Sequence, residues 1–155
     1  MKDADIDVIF DKVYSIHTDK KMLALEKGKP MSYDKLLIAT GGQVRKSKLP
    51  GADAHHVYYL RTAADMKKIQ ERAAQVKEGI AIIGAGFIST EAASALALKY
   101  QGQFEIHIVS SQEHPLENKF GKEIGEMLTH KHTTHGITMH MKMEYLKLSR
   151  TNMEM

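Results

Sequence analysis

The chain of 155 residues predicts an α/β fold, in which a small β-meander precedes an open parallel sheet flanked by helices. Two observations carry that prediction. From Gly79 onward, short apolar runs alternate with segments at helical spacing, which is the pattern of parallel strands joined by right-handed crossovers. Before it, residues 6–38 fall into short apolar runs separated by Asp19-Lys20 and Lys27-Gly28-Lys29-Pro30, which reads as strands joined by turns.

Element by element, strands are expected over residues 6–13, 13–16, 22–25 and 34–38. The last of these is continuously apolar from Leu36 to Ala39 and runs into Thr40-Gly41-Gly42. Residues 43–54 are polar and basic, carry Pro50-Gly51, and read as a linker. Residues 62–76 place Met66, Ile69, Ala73 and Val76 at helical spacing, with Thr62 and Asp65 as a capping box that uses Asp in place of Glu or Gln. Strands at 80–83 and 104–109, helices at 87–100 and 120–132, and a strand from Ile137 follow. Met139, Met141 and Met143 alternate with polar residues there as in a half-buried strand. The methionines of that strand, and Met127 with Leu128 on the helix before it, read as core filler.

Composition bounds the function. Hydrophobic residues make up 43% and charged residues 26%, so a core can form, and no apolar run approaches the roughly 18 residues of a membrane span. A net charge of +3 is too small and too dispersed to imply nucleic acid. The absence of cysteine removes disulfides, thiolate metal sites and a redox CxxC pair from this chain. The opening Met-Lys-Asp-Ala-Asp-Ile-Asp shows no targeting peptide, and an intracellular location is the simpler assumption.

The chemistry is concentrated in Ile82-Ile83-Gly84-Ala85-Gly86-Phe87-Ile88-Ser89. An apolar strand breaking into two closely spaced glycines and then a helix is the sequence form of a dinucleotide pyrophosphate cradle. The first glycine permits the tight turn, the second lets backbone approach phosphate, and the helix directs its positive end at the anion. Ser89 stands where a third glycine would let helix and strand pack closely. His130, His132, His135 and His140 suggest a metal only superficially. His130 and His132 fall on different helical faces, with no carboxylate or thiolate to complete a set, so no metal is expected. Arg45, Lys46 and Lys48 read as a solvated basic cluster.

Three groups of residues together resemble a known family: Tyr33-Asp34-Lys35-Leu36-Leu37-Ile38-Ala39-Thr40-Gly41 with Arg45 and Leu49-Pro50-Gly51; the glycine turn with Glu91; and Phe120-Gly121-Lys122-Glu123-Ile124-Gly125 with His135-Gly136-Ile137. They are similar to the FAD/NAD(P)H pyridine nucleotide oxidoreductases, in the branch of apoptosis-inducing factor and the ferredoxin reductases. The resemblance implies that residues 1–47 are a remnant of an FAD domain, and residues 48–155 a partial, Rossmann-like NAD(P)-binding domain. It implies a truncated or split relative, because the family's glycine-rich FAD unit, its later aspartate-containing strand and its interface domain have no counterpart in these residues.

On that resemblance Gly84, Ala85, Gly86, Phe87 and Ile88 would hold the pyrophosphate of NAD(H) or NADP(H). Ser110 occupies the place of the acidic residue that holds the adenosine ribose, with Glu113 a later substitute. Thr40 and Gly41 match the turn beside the flavin, although a turn leaving a strand also needs glycine for its own geometry. Glu91 matches the glutamate beside the nicotinamide, although an acidic residue in a helix's first turn is favoured by the dipole alone. Hydride transfer to FAD is expected only when a complementary polypeptide or larger complex supplies the flavin half. The alternative is a non-catalytic accessory or scaffold subunit. A mitochondrial location is implied by resemblance alone.

Overall fold

The computed structural model describes residues 6–144. It divides into two units, Met1–Gly42 and Gln43–Met155. The first is an antiparallel meander of β1 (Val13–His17), β2 (Met22–Leu25) and β3 (Met31–Ser32), in that spatial order. Lys21 takes a left-handed conformation in the β1–β2 turn, and a register shift between Val13 and Ser15 marks a bulge. Asp11 ties down the β2–β3 turn by accepting from the amides of Lys12, Gly28 and Lys27. Desolvation pushes the Asp11 pKa up, but these amide hydrogen bonds outweigh it and hold the carboxyl below its ordinary value.

Two expected strands do not form. Residues 6–12 and 34–42 enter no ladder, and the third strand of the meander is Met31–Ser32 instead. An apolar run becomes a strand only where a neighbouring backbone receives its N–H and C=O groups. Here the Lys12 carbonyl accepts from the Glu26 amide at 2.9 Å, but no ladder forms along either run. Phe10 is 95% and Leu37 88% exposed as a result.

The second unit follows the expected alternation. Its sheet, β4 (Gly79–Ile83), β5 (Glu105–Val109) and β6 (Ile137–His140), is parallel and in sequence order. Helix α1 (Ala63–Ala73) precedes the sheet. Thr62 Oγ1 accepts from the Asp65 amide at 3.2 Å, and the Asp65 carboxylate accepts from the Thr62 amide at 2.8 Å, so the capping box is present with Asp. Helix α2 (Phe87–Tyr100) links β4 to β5; α3 (Glu117–Phe120) and α4 (Lys122–Thr134) link β5 to β6. The expected helix at 120–132 is thus split at Gly121, whose φ of 85° no helix accommodates.

One sheet face carries the core. Ile106, Ile108 and Ile137 are buried there with Ala93, Tyr100 and Phe104, and Ile80, Ile82, Met139 and Met141 pack against them. The alternate positions of β5 and β6 carry Glu105, His107 and His140. The reading of every C-terminal methionine as core filler is corrected at two places. Met127 lies on the exposed side of α4, and Met143 is exposed because Lys142, at a φ of 57°, turns the chain out of strand geometry.

Candidate functional site

The carboxyl ends of parallel strands are where α/β sheets receive ligands, and β4 ends there in the glycine turn. Gly84 has a φ of 100° and donates its amide to the Val109 carbonyl at 2.8 Å, so the strand stops at a position only glycine occupies without strain. Ala85 is buried, and its carbonyl accepts from the Leu116 amide at 3.0 Å. Gly86 is the N-cap of α2, and no side chain caps the turn. The orphan amides of the first helical turn are therefore left without a side-chain acceptor.

Gly86 differs from Gly84 in kind. Its φ of −87° suits any residue, and a Cβ built on it would meet no atom within 4 Å. Nothing in the chain's own packing calls for glycine at 86. What the missing side chain provides is open space above a helix N-terminus, which fits a phosphate approached by backbone. Ser89 Oγ lies 3.4 Å from where a Gly84 Cβ would stand, so the serine side chain reaches the end of β4.

Phe87 and Ile88 open the helix, both half-exposed, and Phe87 meets Phe120 edge to face at 5.7 Å between centroids. Glu91 is exposed, and its side chain makes no hydrogen bond or ion pair among the described residues. The helix begins at Phe87, which puts Glu91 beyond the first turn. This corrects the dipole account of that residue, since the dipole's effect fades within one turn.

Ser110 follows β5 and is 3% exposed. Its amide donates to the His140 carbonyl, its own carbonyl accepts from the Met143 amide, and its hydroxyl accepts from the Gln112 amide at 3.2 Å. Glu113 is ion-paired to Lys142 at 2.8 Å. The hydrogen bond from Lys142 and its charge, against some desolvation, hold the Glu113 pKa below its ordinary value. The glycine turn, Glu91 and Ser110 thus lie in one unit, whereas Thr40 and Gly41 lie in the other. Both of those are exposed, and Gly41 has a φ of 71°.

Pattern reasoning passed over two polar arrangements. His132 is buried between α4 and α2, with Nδ1 2.7 Å from the Leu128 carbonyl and Nε2 3.3 Å from both the Ser94 hydroxyl and the Thr90 carbonyl. On the other face of the sheet, Glu105, His107 and His140 form a hydrogen-bonded line with 3.1 Å steps. Its spacing was visible as alternation in β5 and β6, but the pairing of the two strands was not. Among the described residues no three His, Asp or Glu side chains converge on a metal-sized site, and no helix is long and apolar enough to cross a membrane.

A parallel sheet, a glycine turn and a capless helix N-terminus define an α/β protein with an incomplete Rossmann-like fold. The chain belongs to the pyridine nucleotide-disulphide oxidoreductase family, whose profile matches residues 2–154. The mitochondrial apoptosis-inducing factor 1 of Dictyostelium discoideum is 28% identical over 130 residues, covering 83% of this chain and 24% of that protein. Rhodocoxin reductase of Rhodococcus erythropolis is 30% identical over 129 residues, covering 83% of this chain and 29% of its own length. The crystal structure of a ferredoxin reductase from Rhodopseudomonas palustris superposes with a TM-score of 0.79 at 28% identity, over 97% of this chain and 36% of that one. The chain therefore spans between a quarter and just over a third of the length of these relatives.

Proposed function

We propose that this chain is the nicotinamide-dinucleotide-binding portion of an FAD-dependent oxidoreductase, holding the pyrophosphate of NAD(H) or NADP(H) over Gly84, Ala85, Gly86, Phe87 and Ile88. The observation that carries the reading is Gly86, a glycine that neither its φ nor its surroundings require. The orphan amides of α2 supply the hydrogen bonds and the helix dipole favours the charge. Glu91, exposed one turn along α2, would then meet the nicotinamide end. The dinucleotide would supply hydride and a flavin would receive it, while the chain's work is to bind and orient. The flavin-binding elements that accompany this segment in the family would come from the same or another polypeptide, and Thr40-Gly41 would then form the turn at the flavin.

A second reading, a non-catalytic accessory or scaffold subunit, is favoured by one observation: the Ser110 hydroxyl is used inside the chain rather than offered to a ribose. Titration with NADH and NADPH, followed by calorimetry, separates the two. Gly86→Asp is the probe because a Cβ at 86 meets no atom within 4 Å and the carboxylate would repel the pyrophosphate, with a thermal melt of the variant to separate lost binding from misfolding. The dinucleotide reading expects affinity to fall at least about tenfold in the variant, about 1.4 kcal/mol. No binding in either protein favours the scaffold, and equal affinity in both puts the dinucleotide elsewhere than Gly84 to Ile88.

A further inference from the structure

The end of β5 departs from an NAD-specific site in a way that points to a particular ligand. Specificity for NAD in such folds comes from a carboxylate accepting the hydroxyls of the adenosine ribose, which also repels a 2′-phosphate. Here the position holds Ser110, buried, with its hydroxyl accepting from Gln112. The first carboxylate beyond it is Glu113, and Lys142 takes it. The Lys142 amide donates to the Gln112 carbonyl at 2.9 Å and its Nζ lies 2.8 Å from Glu113 Oε1, so backbone and side chain both clamp it to the loop after β5. Its side chain is still 65% exposed. An ammonium has three donors, and its pairing with one carboxylate leaves two to face solvent or a ligand.

We propose that Lys142 sets the dinucleotide preference of the cradle: it occupies Glu113, removing the carboxylate that would reject a phosphorylated ribose, and offers its remaining donors to a 2′-phosphate. The inference rests on the dinucleotide reading above and adds the ligand class, NADP(H) rather than NAD(H) alone. The charge state agrees with the geometry, since the hydrogen bond and charge of Lys142 lower the Glu113 pKa from its ordinary value. The ion pair is exposed and adds little stability, so its removal leaves the fold intact and exposes the change in preference.

The test is calorimetric titration of the chain with NADPH and with NADH, in wild type, Lys142→Met and Glu113→Gln, at one fixed ionic strength. Lys142→Met keeps the stem and removes the ammonium. Wild type is expected to bind NADPH at least as tightly as NADH. Lys142→Met should shift the ratio toward NADH by about tenfold or more, and Glu113→Gln should shift it toward NADPH, because the lysine is released. Wild type binding NADH about tenfold tighter, or a ratio unmoved by Lys142→Met, overturns this inference while leaving the cradle in place. Binding of neither dinucleotide overturns both.

Discussion

The Ser94 hydroxyl lies 3.3 Å from Nε2 of His132, a contact between α2 and α4 across 38 residues of sequence. The same hydroxyl donates to the Thr90 carbonyl at 2.9 Å, and Thr90 Oγ1 donates to the carbonyls of Gly86 and Phe87. A polar thread therefore runs from the glycine turn along α2 into α4. Removal of the imidazole leaves a cavity and deprives the Leu128 carbonyl of its side-chain partner. His132→Ala is expected to cost about 1–3 kcal/mol, the usual penalty for stranding buried polar groups, seen as a lower denaturation midpoint at unchanged slope. A loss below about 0.5 kcal/mol, the scale of ordinary surface substitutions, would show that the thread holds nothing together.

Two glycines make a contrasting pair. A Cβ on Gly125 would lie 2.6 Å from His114 Cβ and 3.3 Å from the Pro115 carbonyl, whereas a Cβ on Gly86 meets nothing. Gly125→Ala should destabilise by about 1–3 kcal/mol through overpacking, even though alanine favours helix by about 1 kcal/mol. Gly86→Ala should cost less than about 1 kcal/mol, the N-cap preference alone. Thermal melts of both variants decide it, and a neutral Gly125→Ala would mean that α4 and the 114–115 segment are not in the contact described.

How much of this was legible in the sequence follows from the range of each interaction. The glycine turn and the Thr62–Asp65 box are local, so residue order alone fixes them. The strands expected at 6–13 and 34–38 do not form as such because pattern records the apolar character of side chains, not whether a partner backbone stands beside them. The split at Gly121 and the turn at Lys142 depend on single φ angles. The glycine at 121 hinted at the first, and no residue type at 142 announced the second. The engagement of Glu113 by Lys142 and of His132 by Ser94 arises only when β6 and α4 come alongside their neighbours, which no spacing rule encodes.

The capping box gives a pH signature. Hydrogen bonds from the Thr62 hydroxyl and amide, the largest influences on Asp65, hold its pKa below the ordinary value of 3.8. A depressed carboxyl contributes stability above its unfolded value and loses that contribution as pH falls through its folded one. The melting-temperature gap between wild type and Asp65→Ala is expected to stay constant from pH 7 to about pH 5 and to narrow below the unfolded value. A gap of the same size at pH 3, about a unit below it, would place the origin of the cap elsewhere than in the ionised carboxylate.

The last prediction concerns the first unit. Ile6, Val8, Ile9, Phe10, Leu37 and Ile38 are all more than half exposed, with Phe10 at 95% and Leu37 at 88%. Exposed apolar residues in such number mark an interaction surface, and a partner covering them is the arrangement that the proposed flavin-containing assembly requires. In the isolated chain the same residues should drive self-association. The double variant Phe10→Ser, Leu37→Ser is expected to reduce association in sedimentation and to bind less of a hydrophobic dye. Its stability should change by no more than about 0.5 kcal/mol, since neither side chain is buried. A wild-type chain that sediments as a monomer and ignores the dye would show that these residues are covered within the chain itself; a double variant that melts far below wild type would show the same by a different route.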